Sequence, residues 1–260
     1  MRKDTWNPQQ YHKFLNERSL PFFDLMDMID SKSSLRRVVD LGCGAGDLTE
    51  VLHQKVHAQE TWGFDTSEAM LEKAQKLSSE GLHFAKESIE NIRQHGKFDL
   101  IFSNAALQWC ENHPKLFHDL KDSLQPQGQL AVQMPMNHDY ATHLLAVRMS
   151  EENHWKNLLQ GNSYRQHLTM LPPEGYATLL FKLGFKEQKV LQRIYAHVMT
   201  SREDVISWVQ GSLLTYFQSQ LSPEDFATFL TEYRESLFQE LPDDKPFFYP
   251  FKRILIWARL

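Results

Sequence analysis

The chain has 260 residues, 42% of them hydrophobic, and a net charge of −5. That is room for one α/β domain with insertions or two small domains, and the charge balance offers no electrostatic ground for a nucleic-acid partner. No run approaches the ~18 apolar residues of a membrane span and the first residues lack the apolar core of a signal peptide, so no membrane partner and a cytoplasmic location are expected. The two cysteines, Cys43 and Cys110, have no CxxC spacing and read as thiols.

In chain order, "RRVVDL" (36–41) reads as a strand, "DLTEVLHQKV" as a helix and "TWGFD" (61–65) as a strand. "SEAMLEKAQKL" (67–77) is a helix capped by Ser67, followed by strands at "LHFAKES" and "FDLIFSN" (98–104). "HPKLFHDLKDSL" is a helix with Pro114 in its first turn, and "QLAVQMP" (129–135) is a strand. This rhythm means right-handed βαβ units and a parallel sheet. Residues 136–171 are polar and helical in pattern. A helix at 174–183, a strand near 187–199, a long helical stretch at 202–240 and a β-rich run at 246–260 complete the chain. The expected organisation is a single domain over 1–260, with helical insertions at about 136–171 and 201–243. Insertions after a strand's carboxyl end are where a lid over a ligand crevice would sit.

The most informative stretch is "DLGCGAGDLTEVL", in which Gly42, Gly44 and Gly46 alternate behind Asp40 at a strand-to-helix turn. Glycine tolerates φ > 0 and lets a ligand approach the backbone closely. A nucleoside-triphosphate loop would need Lys-Ser or Lys-Thr after the glycines, which is missing. A dinucleotide fingerprint would need a small residue at position 47; Asp47 would face the pyrophosphate and disfavours that reading. A tight turn with no ligand is the plain alternative.

The pattern Asp40-x-Gly42-x-Gly44-x-Gly46 resembles the first motif of class I S-adenosylmethionine-dependent methyltransferases. The physics suits that cofactor, which carries an ammonium and a sulfonium and no phosphate, beside an acid and loop carbonyls that include that of Cys43. Asp65, at the end of "TWGFD", can accept both ribose hydroxyls, with Thr66 beside it; the competing role for such an Asp is helix capping. Met70 can press on the adenine or pack in the core. The resemblance implies an adenine-reading acid after the third strand. The register through Phe84 and Ile89 puts Ser88 there, a departure from the family pattern, with Glu87 as the neighbouring acid.

Further along, "WNPQQYHKFLNERSLP", "SNAALQW", "LAVQMPMN", "SWVQGSLL" and "FKRILIWA" are similar to the trans-aconitate 2-methyltransferases and their relatives. The resemblance implies a class I methyltransferase fold, Rossmann-like: a three-layer sandwich with a mainly parallel seven-stranded sheet whose last strand is antiparallel. It also implies methyl transfer from S-adenosylmethionine, leaving S-adenosylhomocysteine, to a carboxylate of a small organic acid. By the same resemblance Asn104 would hold the methionine end of the cofactor and Trp109 would wall the transfer site. Trp6, Tyr11 and Arg18 would belong to a cofactor-covering segment (1–30), with Arg18 on the methionine carboxylate. Where the family carries Arg-Pro after "SWVQGSLL", this chain has Thr215-Tyr216; Arg253 is retained as a carboxylate contact, with a solvated strand-edge arginine as its alternative.

A carboxylate is already ionised at neutral pH, so no catalytic acid or base is expected and alignment with exclusion of water would supply the rate. Twelve histidines without HExxH spacing give no metal expectation. Three rival readings stand: methylation of a malonyl thioester on acyl carrier protein, as in biotin synthesis; a dinucleotide oxidoreductase; and a cofactor-binding protein without chemistry.

Overall fold

The computed structural model describes residues 15–30, 35–162, 164 and 169–260, with side chains from residue 19. Its centre is one seven-stranded sheet in the order β3-β2-β1-β4-β5-β7-β6. The strands are β1 (Arg37–Leu41), β2 (Glu60–Asp65), β3 (Leu82–Lys86), β4 (Phe98–Asn104), β5 (Leu124–Pro135), β6 (Glu187–Met199) and β7 (Phe247–Arg259). The first five pair in parallel, and β7 runs antiparallel to β5. The helices among the described residues are α1 (Leu15–Met26), α2 (Asp47–Val56), α3 (Glu68–Ala74), α4 (His113–Asp122), α5 (Ala141–Glu151), α6 (Asn153–Leu158), α7 (Pro173–Leu183), α8 (Glu203–Gln210), α9 (Thr215–Gln220) and α10 (Pro223–Glu240). None is long and apolar enough to cross a membrane.

Local chemistry sets the boundaries. Ser67 caps α3 by accepting the Met70 N–H at 3.3 Å, as its sequence position predicts. Asn112 caps α4 by accepting the Lys115 N–H at 3.2 Å, with Pro114 in the first turn. The helical stretch 202–240 comprises three helices: α8 stops at Gly211, and Pro223 forces Ser222 into extended backbone (ψ 161°), which then caps α10. One expectation needed correction. Strand β5 begins at Leu124, opposite Phe98, not at Gln129; a register shift with φ +66° at Gln127 absorbs the extra residues.

Within the described residues the chain divides into two compact units, the larger drawn from 18–135, 168–193 and 253–260, the smaller from 15–17, 136–167 and 194–252. In the larger unit, parallel strands buried on both faces read as near-continuous apolar runs: Val38, Val39, Leu100, Ile101 and Phe102 are all 0% exposed. On one face Phe22, Leu25 and Met26 of α1 cover Val38, Leu100, Phe102, Ala131, Leu255 and Trp257. Phe117 of α4 packs on Tyr176 of α7 with ring centroids 5.3 Å apart, and the Tyr176 hydroxyl meets His113 Nδ1 at 2.5 Å. The smaller unit has its own aromatic core, in which Phe217 and Phe229 stack at 4.5 Å and Trp155, Trp208, Tyr233 and Tyr249 are buried. Each such side chain contributes roughly 1.5–3 kcal/mol by burial.

Candidate active site

The carboxyl ends of β1, β2 and β3 form the first edge of the site. Gly42, Gly44 and Gly46 have φ of +79°, +55° and +87°, the left-handed region that side chains resist. Two of them are fixed by crowding as well: a Cβ on Gly42 would lie 2.2 Å from Ala106 Cβ, and one on Gly46 2.9 Å from the Phe84 ring. Gly44 differs, since a Cβ there would meet nothing within 4 Å. The protein itself leaves that space open, which is what a ligand running along the loop requires.

Asp65 organises this edge. Its Oδ2 accepts the Gly44 N–H at 2.8 Å and its Oδ1 the Ser67 N–H at 2.9 Å. A carboxylate has about four lone-pair sites, so two remain for vicinal hydroxyls while the backbone holds the group still. Thr66 next to it is exposed and Met70 is buried. Asp40 is 4% exposed and accepts the Thr49 hydroxyl at 2.6 Å. Burial above all pushes its carboxyl up to about 7; the Thr49 hydrogen bond opposes this and the Asp65 charge adds to it. The Cys43 thiol is buried and its ionisation is pushed well up by desolvation, so only its backbone is suited to contact a ligand.

At the end of β3, Glu87 turns back on its own chain. Its carboxylate accepts the Ser88 N–H at 2.9 Å and the Asn91 amide at 2.8 Å, and meets His95 Nε2 at 3.0 Å. The Asn91 hydrogen bond leads in holding it below the usual carboxylate range. The Ser88 hydroxyl bonds to Glu90, an acid at this corner that sequence register did not single out. Ile89 opens the short 3₁₀ turn that follows.

The second edge lies at the ends of β4 and β5 and the facing part of β7. Asn104 pairs across with Gln133, and Gln133 with Leu255, so these side chains share a face with Arg253, two residues from Leu255. Asn104 Oδ1, Gln133 Nε2 and Trp109 Nε1 are buried without a hydrogen-bond partner among the described residues. Arg253 is 4% exposed, which removes the solvated-edge reading, and its Nη1 approaches Gln133 Oε1 at 3.5 Å. Orphaned buried groups are costly, and Asn104 and Gln133, register partners on neighbouring strands, put two of them side by side.

The comparisons with known proteins agree. A family described as a methyltransferase domain matches residues 32–196. A trans-aconitate 2-methyltransferase of Deinococcus radiodurans is 39% identical over 256 residues, 98% of both chains. The corresponding enzyme of Shigella dysenteriae is 34% identical over 98% of each. This chain belongs to the trans-aconitate 2-methyltransferase family. It is an S-adenosylmethionine-dependent methyltransferase. A solved structure of the YcgJ protein of Bacillus subtilis shares the fold, with a TM-score of 0.60 at 16% identity over 92% of this chain and 97% of that one.

Within the family fold, the structure brings together Asp40, the glycine loop and Asp65 at one edge, and Asn104 and Arg253 at the other. Trp6 and Tyr11 lie outside the described residues, as does the side chain of Arg18. Sequence reasoning missed Thr49 and Gln133. Gln133 is a polar residue inside an otherwise apolar strand, and that was the available signal; Thr49 carries none in its mixed helix.

Proposed function

We propose that this methyltransferase esterifies one carboxylate of a small polycarboxylic acid of the trans-aconitate kind. The full-length likeness to enzymes of that name supports the reading. The observation that carries it here is Arg253, a guanidinium 4% exposed beside an amide donor lacking a partner. A guanidinium at this place suits a carboxylate, which it can pair bidentately.

In this reading Gly42, Cys43, Gly44 and Gly46 present backbone to the cofactor. Asp65, with Thr66, takes the ribose hydroxyls, and Asn104 Oδ1 accepts from the methionine ammonium together with the field of Asp40. Met70, Ser88 and Ile89 border the adenine. Glu87 shapes this corner through Ser88, Asn91 and His95. Arg18, Trp6 and Tyr11 keep their expected place in the covering segment, and Trp109 lines the transfer position. When bound, S-adenosylmethionine supplies a methyl on a sulfonium, and the acceptor's ionised carboxylate takes it without a general base. The protein's task is to orient the two and exclude water.

Transfer of radiolabelled methyl to trans-aconitate and related acids, beside calorimetric titration with S-adenosylhomocysteine and with NADH as control, tests this. Labelled ester, with binding of the homocysteine product and not of NADH, is expected. Transfer to malonyl acyl carrier protein and to no free acid would overturn the acceptor assignment.

A further inference from the structure

Strand β5 carries two buried glutamines on one face, and they differ in a telling way. Gln129 has partners at both ends of its amide: its Oε1 accepts from Trp257 Nε1 at 2.7 Å and the Asp30 N–H at 2.8 Å, and its Nε2 donates to the Asp30 carbonyl at 3.0 Å. Gln133, four residues on and 0% exposed, has its Oε1 turned to Arg253 and its Nε2 without any partner among the described residues. A buried amide donor left open in this way costs about 1–3 kcal/mol, while its neighbour shows that the same strand can pair a glutamine at both ends of its amide.

From Gln133, together with Arg253, we infer a clamp for a carboxylate of the acceptor, and specifically for one that is not methylated. This rests on the acceptor reading above. Sheet order places the clamp: β5 and β7 lie on the far side of β4 from the glycine loop. At about 4.8 Å per strand, Gln133 is two strands from the loop and Arg253 three. The clamp thus starts beside Asn104, the methionine end of the cofactor in the reading above, and extends away from the loop toward the acceptor. The chemistry decides which carboxylate: amide and guanidinium donors occupy lone pairs and stabilise negative charge, which blunts a nucleophile. The held group is therefore a spectator, and the reacting carboxylate is a second one, so the acceptor carries at least two.

Arg253 supplies charge; Gln133 orients the guanidinium through Oε1 and adds its own N–H. Gln133→Leu removes both contributions, and Gln133→Glu turns the donor into an acceptor that ties up Arg253 and repels an anion.

The test is titration of the protein–S-adenosylhomocysteine complex with trans-aconitate, and with a monocarboxylic acid of similar length, for wild type and both variants. Gln133→Leu is expected to weaken trans-aconitate binding about 10- to 100-fold, with Gln133→Glu weaker still. The affinity for S-adenosylhomocysteine should stay within about 2-fold, and methyl transfer should show the change mainly in KM. Equal trans-aconitate affinity in wild type and Gln133→Leu overturns the clamp while leaving the acceptor reading intact. A loss of S-adenosylhomocysteine affinity instead would assign Gln133 to the cofactor's own carboxylate and overturn it too. Wild type that binds no polycarboxylate sinks the acceptor reading, and the clamp with it. Should Gln133→Leu fail to fold, Gln133→Met, closer in length, carries the same comparison.

Discussion

The two edges of the site are built on opposite plans. Around the glycine loop, both oxygens of Asp65 accept backbone N–H groups and Asp40 accepts Thr49, so the polar groups are held by the protein before any ligand arrives. At the β4–β5–β7 edge, Asn104 Oδ1, Gln133 Nε2 and Trp109 Nε1 have no hydrogen-bond partner among the described residues. The first edge is preorganised by backbone. The second leaves polar groups open, which in the proposed reading the methionine end of the cofactor meets at Asn104 and the acceptor meets at Gln133.

The sharpest way to break this contrast is in the loop. Gly42→Ala should abolish soluble protein or cofactor binding altogether, because its Cβ would strike Ala106 at 2.2 Å on a backbone with φ +79°. Gly44→Ala meets nothing within 4 Å, so it should fold with only about 1–2 kcal/mol of backbone cost. It should still lose S-adenosylhomocysteine affinity in calorimetry. Retained affinity would mean that no ligand passes Gly44. Next in size, Asp65→Asn should weaken the homocysteine product about 100-fold, since an amide has a single oxygen where two N–H groups and two hydroxyls must be served.

Asn104→Leu separates the edges more finely. Removing a group with no partner should leave the ligand-free melting temperature unchanged or higher, while binding falls about 10-fold. A lower melting temperature would show that Asn104 is structural. The smallest effect concerns Asp40. Burial raises its carboxyl from the ordinary 3.8 to about 7 in the fold, so the folded state binds the extra proton and stability declines as pH rises from about 4 through 7. Asp40→Asn should therefore raise the melting temperature clearly at pH 8 and hardly at all at pH 4. Binding of the cationic cofactor should improve with pH over that window in wild type and stay flat in the variant. A flat wild-type profile would show that Asp40 does not titrate there.

Sequence alone determined the parallel sheet, its first five strands and the cofactor loop. These depend on backbone demands that only certain residues meet: alternating glycines where φ must be positive, apolar runs where both sheet faces are covered, Ser67 and Pro114 where helices begin. Tertiary structure decided the rest. Gln129 and Gln133 are the same residue type four apart on one strand, and nothing local tells the satisfied one from the open one. Their difference arises from what the fold brings beside them, Trp257 and Asp30 for the first and Arg253 for the second. Likewise Glu87 reads as a free acid in sequence, yet the turn after β3 folds Asn91 and His95 onto it. Backbone geometry is a local requirement and leaves its mark in adjacent residues; the pairing of side chains is a contest among groups far apart in the chain, and it is settled only when the strands meet.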